Sequence, residues 1–139
     1  MKVLITGGSG ALGKSLKKVF KDAYFPTHEE MDLTSADSVN KIIMDYNPDA
    51  IIHAGALVGI RECEEDKKKA WLTNVEGTQN IVNALKELKN GCYLIYISTA
   101  CVFAGEKEKY YTEEDMPSPK NYYSFTKLCG EMIVRQHEN

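Results

Sequence analysis

The chain has 139 residues, 43% hydrophobic and 27% charged, with a formal net charge of −3. That is one domain of ordinary globular composition, long enough to bury a real core. The charge gives no reason to expect nucleic acid or an anionic membrane as partner, and no apolar run approaches membrane-spanning length. Met1 leads straight into Lys2-Val3-Leu4, which reads as the start of a strand rather than a signal peptide. Cys63, Cys92, Cys101 and Cys129 are scattered without a C-x-x-C pair. Neither a disulfide framework nor a metal site is expected, and reduced thiols in a cytoplasmic protein are the plain expectation.

In chain order, Val3 to Thr6 is the first strand. The run Thr6-Gly7-Gly8-Ser9-Gly10-Ala11-Leu12-Gly13 follows and opens a helix from Ala11 to about Lys21, with Leu12, Leu16, Val19 and Phe20 on one face. Tyr24 to Thr27 is a short second strand, weakened by Pro26. Ser35 caps a helix that carries Val39, Ile42, Ile43 and Tyr46 and stops before Pro48. Ala50 to Ala54 is a buried third strand, Asp66 to Leu88 a long helix, and Tyr93 to Ser98 a fourth strand. A loop from Ala104 to Lys120 precedes a last helix from Asn121 to about His137. Strands alternating with helices specify an α/β, Rossmann-type parallel sheet flanked by helices. The expected strand order is 3-2-1-4, with the ligand crevice at the carboxyl ends between strands one and four.

Glycines at Gly7, Gly10 and Gly13 fit a strand, tight turn and helix built to hold a pyrophosphate. The first lets the backbone turn, the second lets it approach the ligand, and the third lets helix and strand pack closely. The phosphates would rest on the helix N-terminus, where N–H groups and the dipole attract anions. A Gly-rich turn without a ligand is the alternative reading.

Tyr123 and Lys127 stand four apart, hence on one helix face. An ammonium beside a phenol stabilises tyrosinate and lowers its pKa below about 10, so that it can exchange a proton with a carbonyl or alcohol oxygen. Ser98 and Thr99 end the fourth strand, where a hydroxyl could meet the same oxygen. Each signal alone has a bland counterpart: a surface Tyr with a solvated Lys, and two residues that merely terminate a strand. His53 reads as a core residue and Trp71 as packing. Lys67-Lys68-Lys69 after Glu62, Glu64, Glu65 and Asp66 reads as a solvated helix start.

Taken in order, these segments resemble the extended short-chain dehydrogenase/reductase family, nearest its dTDP-4-dehydrorhamnose reductase (RmlD-like) branch. The glycine loop resembles T-G-x-x-G-x-x-G. Met31-Asp32-Leu33-Thr34 resembles D-[IL]-T, and Pro48 to Ala56 resembles P-D-x-[IV]-[IV]-H-x-A-A. Asn74-Val75-Glu76-Gly77-Thr78 is similar to N-V-x-G-T, and Ser98 to Phe103 to S-T-D-Y-V-F. Tyr111 to Asp115 with Pro117 and Pro119 resembles the acidic approach to Y-G-x-S-K.

The resemblance implies NAD(P)H as cofactor and a 4-keto nucleotide sugar as substrate. It makes Tyr123 the acid/base, Lys127 the group that lowers its pKa and holds the nicotinamide ribose, and Thr99 the hydroxyl that shares the substrate carbonyl. Gly7, Gly10, Ala11, Leu12 and Gly13 would cradle the pyrophosphate, Asp32 and Leu33 would frame the adenine, and Ala54, Gly55 and Ala56 would pass beneath the cofactor. Asn74 would tie neighbouring loops together. Ala100-Cys101 replaces Asp-Tyr, Gly55 replaces Ala, and Ser124 stands at the usual Gly.

The family continues with further strands and a C-terminal substrate region, so residues 1–139 correspond to a cofactor-binding domain that carries the Thr/Tyr/Lys set. A truncated or split reductase is one expectation; a non-catalytic NAD(P)-binding module or regulatory subunit is the alternative. A homo-oligomer, or pairing with a complementary C-terminal segment, is expected in either case. Between Ala23 and Asn40 no Arg or Lys is present to meet a 2′-phosphate, which leans the expectation toward NAD(H), with Lys14 as the nearby cation.

Overall fold

The three apolar runs form one parallel sheet, in which β1 (Val3–Thr6) pairs with β2 (Ala50–His53) and β2 with β3 (Tyr93–Tyr96). The computed structural model describes residues 1–108 and 110–137. Register places Ile5, Ile52 and Ile95 on one face and Leu4, Ile51 and Leu94 on the other.

The Leu4 face is covered by α2 (Ala36–Tyr46) and α5 (Gly77–Glu87), which close a core of Leu4, Met31, Val39, Ile43, Ile51, Ile81, Ala84 and Leu85. The Ile5 face is covered by α1 (Ala11–Val19), with Leu16 and Phe20 packed on Val3, Ile5 and Ile52. That cover stops short of β3, an edge of the three-stranded sheet, where Tyr93 is 67% and Ile95 51% exposed.

Local signals explain the helices. Ser35 accepts from the Ser38 N–H at the start of α2, and Asn47 closes the helix in the left-handed region at φ 48° before Pro48. Asn121 caps α6 (Tyr122–Val134) in the same way, through the Ser124 N–H. The long helix expected over 66–88 is α4 (Lys67–Trp71), a π-helical turn (Leu72–Glu76) and α5 in succession, with Asp66 as its cap. A short helix the sequence reading lacked, α3 (Ile60–Glu65), precedes it.

Two expectations need correction. The second strand is reduced to a single bridge between Tyr24 and Leu4, because Pro26 has no N–H to extend the ladder. The order 3-2-1-4 is also wrong in detail. Tyr24 lies on one side of β1 and the Ala50 strand on the other, and the Tyr93 strand pairs with the Ala50 strand rather than with β1. A one-residue bridge offers no edge for another strand. The all-apolar Ala50-Ile51-Ile52 needs partners on both sides, which β1 and β3 provide. The topological reversal therefore falls between β1 and β2.

Candidate functional site

A cavity of about 560 Å³ opens at that reversal, where doubly wound sheets bind ligands. Thr6 to Ser9 from the end of β1, Gly55 and Ala56 from the end of β2, and Phe25 to Glu29 with Met31 to Thr34 form its walls. Gly7, Asp32, Leu33, Gly55 and Ala56 line it, Ala54 lies behind Gly7, and Gly10, Ala11, Leu12 and Gly13 are not among its walls.

The loop geometry separates the three glycines. Gly7 has φ +76°, and a Cβ there would stand 2.7 Å from the Ala54 carbonyl oxygen, so no larger residue fits. A Cβ at Gly13 would collide with the Gly7 carbonyl and approach Gly8 Cα to 2.6 Å. Gly10 differs. Its φ is −72° and the nearest atom to an added Cβ is the Gly7 oxygen, at 3.4 Å. The protein's own packing does not require glycine at this position. Gly10 is also the N-cap of α1 without a side chain to satisfy the first turn, which leaves the N–H groups of Ala11, Leu12 and Gly13 without a side-chain cap. An open, uncapped helix N-terminus in front of a residue kept free of a Cβ fits a dinucleotide pyrophosphate.

On the adenosine side, the Asp32 carboxylate accepts from the Thr34 N–H (2.9 Å) and hydroxyl (2.8 Å). These bonds hold its pKa below the usual carboxylate value. The cation in the cavity wall is Lys17, not Lys14. Its stem packs against Gly8 and its ammonium sits 5.4 Å from the Phe25 ring centre, with His28 and Glu29 in the same wall.

The second group of predicted residues lies beyond the cavity walls, at the ends of β3 and the start of α6. Thr99 caps the 3-10 turn Ala100–Val102, and its hydroxyl also faces the Tyr123 phenol. Ser98 turns the other way and donates to Glu131 on α6. The geometry thereby separates the two hydroxyls: Thr99 faces the tyrosine and Ser98 braces the helix.

Lys127 is 3% exposed. Burial holds its ammonium down, to about 8, against the opposing pull of Glu131. Its Nζ sits over the Tyr96 ring, 4.0 Å from the centroid. Tyr123 departs from expectation: burial pushes its phenol above 10, and the Thr99 hydroxyl offsets only part of that. The ammonium expected to lower it is engaged with Tyr96 instead.

A polar chain joins the two groups. Thr78 donates to the Asn74 carbonyl (2.7 Å), so its oxygen is left to accept from His53 Nε2–H (3.1 Å). His53 Nδ1 then accepts from the Thr6 hydroxyl (2.8 Å), whose oxygen takes the Gly55 N–H (2.9 Å). His53 is a satisfied core residue, held neutral with its pKa lowered to about 3 by burial and by Lys127. Asn74 ties loops together as expected: its amide bonds both backbone groups of Leu57 and the Thr126 hydroxyl on α6. It does so from the π-helical turn, a form that recurs near functional sites. Sequence reasoning missed Lys17, Phe25, Tyr96 and Glu131. Glu131 was findable as the residue one turn after Lys127. Tyr96 was not, because its role depends on packing against a helix 31 residues away.

Among the described residues, no helix is long and apolar enough to cross a membrane and no His/Cys/Asp/Glu group could hold a metal. The family model of the RmlD substrate binding domain matches residues 1–139. Among solved structures, the chain superposes on a dTDP-4-dehydrorhamnose reductase from Clostridium acetobutylicum with a TM-score of 0.93 at 32% identity, covering 99% of this chain and 50% of that one. The same reductase from Bacillus anthracis, in complex with NADP, gives 0.92 at 31% over 99% and 50%. Curated relatives include methionine adenosyltransferase 2 subunit beta of Rattus norvegicus, 34% identical over 98% of this chain and 43% of the relative. The dTDP-4-dehydrorhamnose reductase of Aggregatibacter actinomycetemcomitans is 32% identical over 96% and 46%. The chain spans about half the length of the relatives it matches, and over its whole length it belongs to the RmlD substrate binding domain family.

Proposed function

We propose that residues 1–139 form the NAD(P)H-binding Rossmann domain of a reductase acting on a 4-keto nucleotide sugar. The observation that carries this reading is the cavity at the topological reversal, walled by Gly7, Gly8 and Gly55, together with the Thr99, Tyr123 and Lys127 corner at the ends of β3 and the start of α6. Bound in the cavity, NAD(P)H supplies the hydride. The chain's own residues supply the rest. The helix N–H groups of Ala11, Leu12 and Gly13 would hold the pyrophosphate, Asp32 and Leu33 would flank the adenine, and Ala54, Gly55 and Ala56 would line the floor. Tyr123 gives its phenolic proton to the carbonyl oxygen, and Thr99 donates a hydrogen bond to the same oxygen. Lys127, once drawn to the nicotinamide ribose, stabilises the resulting tyrosinate. Lys17 and His28 oppose Glu29 and Asp32 in the cavity wall, so the reading covers both NADH and NADPH.

The partners are then a nucleotide sugar and either a second copy or a complementary C-terminal segment. Exposed Trp71, Phe125 and Met132 on α4 and α6 and exposed Ile95 on β3 support association. Light scattering at tens of micromolar should show a species larger than a monomer; a sharp monomer peak contradicts it.

One observation favours a second reading, a binding module without turnover: the likeness to a protein named as an adenosyltransferase subunit. Reduction of a dTDP-4-keto sugar with NADPH distinguishes the two. The first reading predicts turnover that drops by about a hundredfold or more in Tyr123→Phe with cofactor affinity retained. NADPH binding without any turnover, with or without a C-terminal segment, supports the second.

A further inference from the structure

The ring of Tyr96 has two nitrogen-bearing neighbours. The Lys127 ammonium stands 4.0 Å from its centroid, and the His53 ring is tilted 49° to it at 5.5 Å. The phenolic end runs to α6, where its O–H points at the Lys127 carbonyl at 3.4 Å and fills the space that a Cβ at residue 130 would need. Residue 130 is Gly, so helix and ring fit only as a pair. Glu131, the anion nearest in sequence, is already engaged by the Ser98 hydroxyl. The buried ammonium therefore rests on a π-face.

We infer that Tyr96 is a positioning residue: its ring holds the Lys127 ammonium at the mouth of the catalytic corner and keeps it charged there. This rests on the proposed role of Lys127 toward the nicotinamide ribose, but the arrangement itself does not require that role. A cation over a ring face is stabilised by the ring's quadrupole, more as water is excluded. That stabilisation opposes the desolvation that pulls Lys127 down. The titratable groups around the ammonium and its platform are Glu131, Tyr123 and Cys129 on α6 and His53 on β2. Of these, Glu131 alone bears a carboxyl group, and His53 is held neutral by burial. The ring is a platform from which the ammonium can swing to a ligand, whereas a direct carboxylate bond would pin it.

The test reads the Lys127 protonation midpoint in the 139-residue chain by side-chain NMR, without added dinucleotide. Tyr96→Phe keeps the ring and loses the long hydroxyl contact; Tyr96→Met keeps apolar volume and loses the ring. The expected midpoint is close to wild type in Tyr96→Phe and lower by roughly half to one pH unit in Tyr96→Met. NADPH affinity at pH 9, above both midpoints, should then fall about 3- to 10-fold in Tyr96→Met and less than twofold in Tyr96→Phe. If Tyr96→Met does not fold, the wild-type and Tyr96→Phe proteins decide, because the Lys127 side-chain protons must be shifted upfield by the ring in both. A folded Tyr96→Met protein with an unchanged or raised midpoint overturns the inference, as does the absence of the upfield shift in wild type. An NADPH titration that fails for wild type, with the midpoints as expected, contradicts the cofactor reading and leaves the Tyr96 assignment standing.

Discussion

The cradle around Gly7 to Gly13 and the corner around Tyr123 are built from different materials. In the cradle the decisive atoms are backbone: the Gly7 turn against Ala54, the Gly13 Cα against Gly7 and Gly8, and the N–H groups that open α1. In the corner they are side chains from β2, β3, the π-helical turn and α6: His53, Tyr96, Asn74, Thr99, Tyr123 and Lys127. A backbone site tolerates little change in residue type at its glycines but needs no titration to work. A side-chain site depends on which groups carry charge, and here burial raises the pKa of Tyr96 and Tyr123 and depresses those of Lys127 and His53.

Replacing Gly13 should break the cradle through the fold itself. Gly13→Val forces a branched side chain into the Gly7 carbonyl, so a loss of about 3 kcal/mol, at the upper end of overpacking costs, is expected in urea unfolding. A stability within experimental error of wild type would show that the loop can move aside.

The corner should respond to acid where the cradle does not. The folded pKa of His53, about 3, lies below its ordinary 6.5, so the unfolded chain binds the proton more readily. Its contribution to stability is complete above about pH 6.5 and is lost progressively as pH falls toward 3, with a slope of up to about 1.4 kcal/mol per pH unit. Between pH 6.5 and 4.5, wild type should lose stability more steeply than His53→Asn, although the variant starts lower because Thr6 and Thr78 lose a partner. Parallel slopes would mean that His53 is not held neutral.

The smallest expected effect sharpens the cradle alone. Lys17→Ala should weaken NADPH about 3- to 10-fold, the loss of one charge near a phosphate, and leave NADH within twofold. Equal effects on both would move the 2′-phosphate away from Lys17.

The contrast also explains what could be read in advance. The strand, glycine loop and helix were legible because one local pattern determines them. The cap at Ser35 and the end of α2 before Pro48 were legible for the same reason. The strand order was not. Whether Tyr24 to Thr27 makes an edge depends on the donor lost at Pro26 and on the claim of Ala50 to Ile52 to two neighbours, and neither acts locally. Tyr123 and Lys127 were legible from their spacing and Thr99 from its place at the strand end, with their roles supplied by family resemblance, but the spacing did not reveal that burial raises the phenol. The ammonium expected to acidify Tyr123 sits on Tyr96, whose place opposite Gly130 emerges only when β3 and α6 pack.

The account turns on Gly10, the loop position that the protein's own packing leaves free. Calorimetric titration of wild type and Gly10→Val with NADPH tests it most directly. With 3.4 Å to the nearest atom, the variant should fold with near-native stability and lose about a hundredfold or more in affinity, because its side chain enters the pyrophosphate's space. A folded Gly10→Val protein that binds NADPH as wild type does would contradict the assignment of this loop as the cofactor cradle.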